Sequence, residues 1–398
     1  DLISRIAPRH ARLFTDCLVW GVEADNTVLY TQAGHSGRIR AKAIILATGA
    51  HERVVPFPGW TLPGVMTAGA AQTLLKAQGI LPGNRIVIAG TGPFLYPVST
   101  QLAAAGATLA AICELSRDRL WPLRVEQPYR HLQIYREALG YLAQMRRLGL
   151  RVSMGTSVVE AVGDSALREV VTAEFDVAHK EIPGTRRTIA ADTLLTSFSF
   201  VPNVQVARLL GCDLRWDPVQ QAHFVAADAG LRTSQPAIYL AGEIAGIGGH
   251  KVAKAEGLLA AASALEDLGC TLDRSTATAR HKASRTQSAG RQFASHMLKS
   301  FALKPGIFEL TQPETIVCRC ESVPRSEIDY HAEFWNGAQR AVKQCTRAGM
   351  GRCQGRMCGF AVAQLVRRHA GEPDRAPLPD TARMPVKPLA LHEAKPSE

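Results

Sequence analysis

No part of this sequence is long and apolar enough to cross a membrane as a helix. Runs such as AAICEL (110–115) fall far short of the ~20 residues that a span requires. No signal-peptide pattern opens the chain, and its first residue is Asp1 rather than Met. Nine cysteines among 398 residues are not a disulfide framework. They fit a reducing cytoplasm, where clustered cysteines bind metal or do redox work. The charge is basic, at net +11, but Lys and Arg are scattered and no aromatic-studded basic stripe accompanies them. That excludes nucleic acid as the expected partner and favours an acidic partner protein. No internal repeat is present.

What is present is a globular composition, 46% apolar and 20% charged, in a chain too long for one core. Apolar periodicity predicts strands within 17–31 and 41–48, and a Pro/Gly-rich connection at 51–65. A helix follows at 68–79, then a strand–turn–helix–strand unit at 84–114. An amphipathic helix at 131–148 is expected to put Leu132, Tyr135, Leu139, Leu142 and Met145 on one face. Strands follow at 150–162 and 168–178, and a second strand–turn–helix spans 237–269. The Ser/Thr/Ala-rich, basic stretch 271–305 reads as a linker with some helix. Residues 313–371 form a compact cysteine unit, and the proline-rich tail from Glu372 is expected to be disordered.

GTGPFL (90–95) follows a strand and opens a helix. Gly90 suits a tight turn, and Gly92 lets a pyrophosphate approach the backbone and the helix N-terminus, with Pro93 beside it. Leu95 replaces the third glycine of that fingerprint. Glu114 ends the next strand, where a carboxylate bonds the ribose hydroxyls of NAD. ILATGA (45–50) and IYLAGE (238–243) flank this unit; each is a strand that ends in Thr48-Gly49 or Gly242-Glu243. No Cys-x2-Cys or Cys-x4-Cys pair lies beside these loops, which argues against a disulfide reductase. Cys17, Cys113, Cys212 and Cys270 read as small buried hydrophobes.

At the far end, Cys318 and Cys320 form a Cys-x-Cys pair, and Cys353 and Cys358 a Cys-x4-Cys pair. SEIDYHAEF and GAQRAVKQCTRAG between them read as two short helices, and GFAVAQLVRR after them as a third that Cys358 opens. Four thiolates hold either a 2Fe–2S cluster or a structural zinc. The glycines of RAGMGRCQGRMCG offer backbone N–H groups to cluster sulfurs, and Arg347 and Arg352 add positive charge.

The order of ATG, GxGxx and Gly-acid turns resembles the glutathione-reductase-like flavoproteins over roughly 1–270. The resemblance implies an α/β fold with two dinucleotide-binding domains. FAD would lie along Thr48, Gly49, Gly242 and Glu243, with the helix start at Gly248–Gly249 aimed at the flavin ring. NAD(P) or ATP would lie on Gly90, Gly92, Pro93 and Glu114. The N-terminal GxGxxG loop of those flavoproteins has no counterpart here, so the FAD domain is expected to be incomplete, with about a hundred residues upstream missing. The cysteine unit is similar to the 2Fe–2S domain of bacterioferritin-associated ferredoxin. That similarity implies Cys318, Cys320, Cys353 and Cys358 as ligands and leaves Cys345 to helix packing.

Together, ATGAHERVVPFPGW (47–60), AGTGP (89–93), AGEIAGIGG (241–249) and the four cysteines resemble the A-type (alpha) subunits of bacterial flavin-dependent amine and opine dehydrogenase complexes. These include the A-type subunit of opine oxidase, the B-type subunit of hydrogen cyanide synthase and the alpha subunits of proline and hydroxyproline dehydrogenases. Where that family carries Asp, this chain has Glu243. The resemblance implies a cytoplasmic electron-transfer subunit, at most peripheral to the inner membrane through its complex. Its partners would be an FAD-containing beta subunit that oxidises an amino or imino acid, and a small ferredoxin-like subunit. The implied domains are partial FAD (1–60), NAD(P)-type (61–195), returning FAD (196–270), linker (271–312), 2Fe–2S (313–371) and tail (372–398). Two alternatives are a self-sufficient NAD(P)H-dependent FAD/iron–sulfur reductase and a non-catalytic assembly subunit with a zinc site. No general base for substrate stands out. His51, Glu52 and Arg53 read as solvated loop charges, with a place at the flavin edge as the alternative, and His250 either as a solvent-facing first-turn residue or as a neighbour of the flavin ring.

Overall fold

The structure is a computed structural model that describes residues 11–118, 132–370, 376, 382–390 and 393. Its centre is a five-stranded parallel sheet in the order Val65–Thr67, Thr193–Phe198, Arg85–Thr91, Thr108–Glu114, Val152–Met154. The Arg85–Thr91 strand reads RIVIAGT and is buried on both faces, as a central parallel strand must be. Alternation sends Ile86 and Ile88 to one side, against the helices Ala68–Gln78 and Leu95–Ala104. Val87 and Ala89 go to the other, against the antiparallel sheet of Thr156–Gly163, Leu167–Glu174 and Arg187–Ala190. Thr67 caps the first helix through the Ala70 N–H, and Gly79 ends it in the left-handed conformation.

Two parallel strands, Ile44–Leu46 and Ile238–Leu240, form the core of a second unit. Its helix His250–Asp267 packs along the second strand. A three-stranded antiparallel sheet, Cys17–Val22, Thr27–Gln32 and His35–Arg40, lies beside it. Among the described residues Ile44–Leu46 pairs on one side alone, and Ile45 is exposed. The last unit is small. A two-stranded ribbon, Ile316–Cys318 with Val323–Pro324, and the helices Arg325–Phe334, Gln339–Thr346 and Gly359–Arg367 enclose a core around Val317, Ile328, Val342 and Leu365.

Several sequence expectations are corrected. The expected linker is a 27-residue helix, Arg274–Ser300, capped by Asp273 and packed on His250–Asp267. Ala283 enters the core shared with that helix and Gly290 lies against Val252, so small residues on the contact face allow the close approach. The segment after it is also packed, with Leu303, Ile307, Phe308 and Leu310 entering the main core. The tail is not uniformly free either: Val386 is buried and its N–H bonds the Trp20 carbonyl at 2.8 Å, on the edge of the Cys17–Val22 strand. Residues 371–375, 377–381, 391–392 and 394–398 of that tail lie outside the described residues. The expected apolar face of Leu132–Arg147 is only partly used. Met145 is buried and Tyr135 meets Phe293 edge-on, but Leu139 and Leu142 are 65% and 54% exposed. The side chain of Leu132 lies outside the described residues. No described helix is long and apolar enough to cross a membrane.

Candidate functional site

The glycine turns meet at the carboxyl ends of the parallel strands, where α/β sheets bind ligands. A Cβ at Gly90 would stand 1.9 Å from the Ser197 carbonyl oxygen, so this glycine serves strand packing rather than a free turn. Gly92, at φ +107°, has open space where its Cβ would be, which leaves room for a ligand beside the turn, although the residue is buried and its own N–H is given to Glu114. Leu95, in place of the third glycine, is buried and, with Val98 and Leu102 of its own helix, joins the core that includes Ile86 and Ile88 of the strand.

Glu114 is not placed as expected. It has no exposed surface, and its oxygens accept the Gly92 N–H at 2.9 Å and the Ser116 N–H at 2.8 Å. A carboxylate so committed shapes the loop; the ribose contact needs one that faces the ligand. Burial pushes it up to about 7, against the pull of those two amides. Because the folded-state value is raised, the group's contribution to stability is complete below the ordinary carboxylate range and is lost as pH rises through 7. We expect thermal stability to fall between pH 5 and pH 8 by a contribution on the order of 3 kcal/mol. Glu114→Gln is expected to be less stable at pH 5 but flatter with pH. Parallel melting curves for the two proteins would exclude this assignment.

On the other side, Asn203 latches the ATG turn, a role the sequence did not signal. Its N–H bonds the Gly49 carbonyl at 2.9 Å, its Nδ2 the Thr48 carbonyl at 3.0 Å, and its carbonyl accepts Thr48 Oγ1 at 2.7 Å. Its Oδ1 lies 3.0 Å from His51 Nδ1. Gly49 and Gly249, at φ +66° and +78°, both have open space in place of a Cβ. Open backbone at Gly49, past one strand, and at Gly249, at the helix start, leaves room for an FAD laid across them. Gly242 and Gly248 are filled in: the Gly242 N–H goes to Glu256 Oε2 at 3.0 Å, and Val252 stands against Gly248. Glu243 is raised by burial, and its carboxylate is eased by Arg291 and the Gly249 N–H. It therefore braces the turn that leads into the helix at His250, whose cap is Gly249. His250 itself is exposed, as a first-turn residue.

The expectation that residues 51–53 are solvated fails. Strand pairing of Ala50–Glu52 with Phe200–Pro202 pulls all three inward. Glu52 accepts the Gly69 N–H at 2.8 Å and is raised by burial. His51 is lowered by burial and faces the Arg356 backbone. Arg53 is 3% exposed.

Those contacts lead to the cysteines. Cys318, buried, is held as thiolate at about 5 by the Cys358 thiol and by the amides of Gly349, Glu321 and Cys320. Cys358 is correspondingly pushed up. Cys320 bonds with Cys353. Cys358 is affected by Cys353 and Cys320 as well as by Cys318, so the four thiols of the two motifs are neighbours. Among the described residues no group of three or more His, Cys, Asp or Glu stands where it could hold a metal ion. A Cβ at Gly351 would lie 2.4 Å from Cys320 Cβ, which explains the glycine-rich loop. Arg347 pairs with Glu321 at 2.8 Å on the surface. Cys345 is exposed rather than packed, and so is Cys270; Cys113 and Cys212 are buried as expected, and Cys17 partly.

The cysteine unit is docked on the body. Trp60 Nε1 bonds the Ile316 carbonyl at 2.5 Å, Thr311 Oγ1 the Pro56 carbonyl at 2.8 Å, and Gln364 meets Gln221 at 2.9 Å. A cavity of about 190 Å³ lies in the junction, lined by His51, Trp216, Arg356 and Phe360 among others. A second cleft, about 910 Å³, is lined by Trp60, Glu160 and Glu309 among others and by none of the ATG, GTG or AGE glycines.

Residues 4–257 match the pyridine nucleotide-disulphide oxidoreductase family. The chain belongs to that family and is an FAD-dependent oxidoreductase. It is 32% identical to the A-type subunit of opine oxidase from Agrobacterium tumefaciens (strain Ach5), over 94% of this chain and 75% of that protein. It is likewise 32% identical to the HcnB subunit of hydrogen cyanide synthase from Pseudomonas aeruginosa, over 96% of this chain and 81% of that one. In fold it is similar to L-proline dehydrogenase from P. horikoshii, with TM-score 0.64 at 18% identity. That likeness covers 95% of this chain but 64% of the P. horikoshii chain.

Proposed function

We propose that this chain is the electron-transfer subunit of an amine, opine or imino-acid dehydrogenase complex. In this reading FAD and a 2Fe–2S cluster are its centres, and Cys318, Cys320, Cys353 and Cys358 are the cluster's ligands. When bound, FAD accepts electrons in pairs and the cluster accepts them singly, so a chain that holds both suits a one-electron acceptor. The observation that carries the reading is the mutual approach of four thiols in a unit docked on the strand that leaves the ATG turn. Thr48, Gly49 and Gly249 would hold the flavin. Glu243 and Asn203 would fix the turns, and the amides at Gly349 and Glu321 would offset thiolate charge. Gly92 and Pro93 remain the contacts proposed for a nucleotide, NAD(P) or ATP, with Gly90 and Glu114 shaping the loop.

Substrate oxidation is assigned to an FAD-containing partner protein, and a small ferredoxin-like protein is a further component. The names of the relatives, which call them subunits of an oxidase and a synthase, support a hetero-oligomer. The complex would work in the cytoplasm or at the inner face of the inner membrane. The test is to copurify the complex and follow flavin and cluster spectra under anaerobic conditions. About two irons and two sulfides per chain, with bleaching on adding amine or opine, are expected. Bleaching by NADH alone would replace this reading with a self-sufficient reductase. One zinc and no visible absorption would replace it with an assembly role.

A further inference from the structure

The seam between the cysteine unit and the body holds a cavity of about 190 Å³ whose walls come from three separate stretches of chain. The body supplies His51, Arg208 and His223, the cysteine unit Lys343 and Arg356, and the tail Arg383. No Asp or Glu stands among the described residues that line it. His51 is held below the ordinary histidine range by burial and by the charges of Arg356 and Arg53, against the bond to Asn203. His223 is held below it by burial and by the charge of Arg208. Two imidazoles on different strands thus report the same positive field. Trp216 and His223, with ring centres 4.9 Å apart, add an aromatic wall. Five glutamines add amides that both donate and accept.

We propose that this cavity is a binding site for a small organic dianion, a dicarboxylate of about amino-acid size, held between the body, the cysteine unit and the tail. Size sets the upper limit. Pockets for drug-sized ligands run from about 300 to 1,000 Å³, so about 190 Å³ is too small for a dinucleotide or a flavin. Charge sets the class. A concave lining that carries cations and no acid concentrates an anion. Guanidinium groups match planar carboxylates with two parallel hydrogen bonds. The cations come from three segments instead of one loop or helix start, so they suit two separated carboxylates better than one compact phosphate. A bound dianion would also fasten the tail, where Val386 lines the same cavity and its N–H holds the Trp20 carbonyl. The site needs neither flavin nor cluster, so it stands apart from the cofactor reading above.

The test is calorimetric titration of the full chain with succinate, beside acetate, inorganic phosphate and uncharged succinamide, at low ionic strength. Succinate is expected to bind with a dissociation constant below about 1 mM, and acetate, phosphate and succinamide about tenfold more weakly or worse. Arg208→Gln and Arg383→Gln are each expected to weaken succinate by about fivefold or more, as the loss of a charged hydrogen-bond donor should. Arg168→Gln, on the surface and paired with Asp164, is expected to leave it unchanged. Should the two lining variants fail to fold, Gln205→Glu sets a carboxylate in the lining and is expected to exclude succinate; wild-type affinity there overturns the proposal. Wild-type affinity in folded Arg208→Gln and Arg383→Gln overturns it equally. Phosphate that binds as tightly as succinate overturns the dicarboxylate assignment, and no saturable heat up to about 10 mM succinate overturns the site itself.

Discussion

Serine at any one of Cys318, Cys320, Cys353 or Cys358 is expected to abolish the visible absorption of the proposed iron–sulfur centre, whereas serine at Cys345 leaves it intact. The four thiols meet in the pairs 318–358 and 320–353, so each variant opens one pair and leaves a metal atom short of a ligand. Cys318 and Cys358 are buried, and their loss should also loosen the small core of the unit around Val317 and Leu365. Cys320 and Cys353 are more exposed, and their variants should keep the fold and lose only the centre. Cys345 is exposed on Gln339–Thr346 and is not among the thiols that influence Cys318, Cys320 or Cys358. Iron and acid-labile sulfide, measured beside the far-UV circular dichroism spectrum, separate the two kinds of loss. Full iron content in Cys320→Ser, or bleaching by Cys345→Ser, would falsify this ligand set.

The second large effect is expected at Glu256. It is wholly buried in His250–Asp267, and its Oε1 accepts Arg291 Nη2 at 2.6 Å and Nε at 2.8 Å. Its Oε2 holds the Gly242 N–H, and Arg291 Nη2 also lies 3.4 Å from the Gly242 carbonyl. One ion pair therefore clamps the Gly242–Glu243 turn between two helices. Removing one member leaves the other buried without its partner, which costs about 3–5 kcal/mol. Glu256→Ala and Arg291→Met are each expected to destabilise by that order in urea unfolding. The double variant should fall well short of the sum, because a single interaction is lost once. It should also bind FAD more weakly, since the Gly242–Glu243 turn loses its clamp. A stability change under about 1 kcal/mol for Glu256→Ala, the size of an ordinary surface effect, would mean that the turn holds itself.

The reach of the sequence and of the tertiary structure can be separated residue by residue. IVIA at 86–89 reads as a strand buried on both faces, because no side chain in it is polar, and Gly92 after the strand as a turn. The two cysteine motifs, with helix-length spacing between them, already marked out a separate unit. These are local patterns, and chain stereochemistry and apolar periodicity are enough to write them. The sequence did not show which polar groups end up inside. His51, Glu52 and Arg53 look like surface charges until Phe200–Pro202 pairs with their strand and the cysteine unit closes over them. Glu114 ends the strand where a ribose ligand would be expected, yet the Gly92 loop folds its own amides onto that carboxylate. Arg274–Ser300 reads as spacer because its mean hydropathy is low; it becomes structure because Arg291 finds Glu256, 35 residues away, and Phe293 finds Tyr135. Each of these outcomes depends on a partner distant in sequence. Burial and charge pairing are properties of the assembled chain, so only the tertiary structure could decide them.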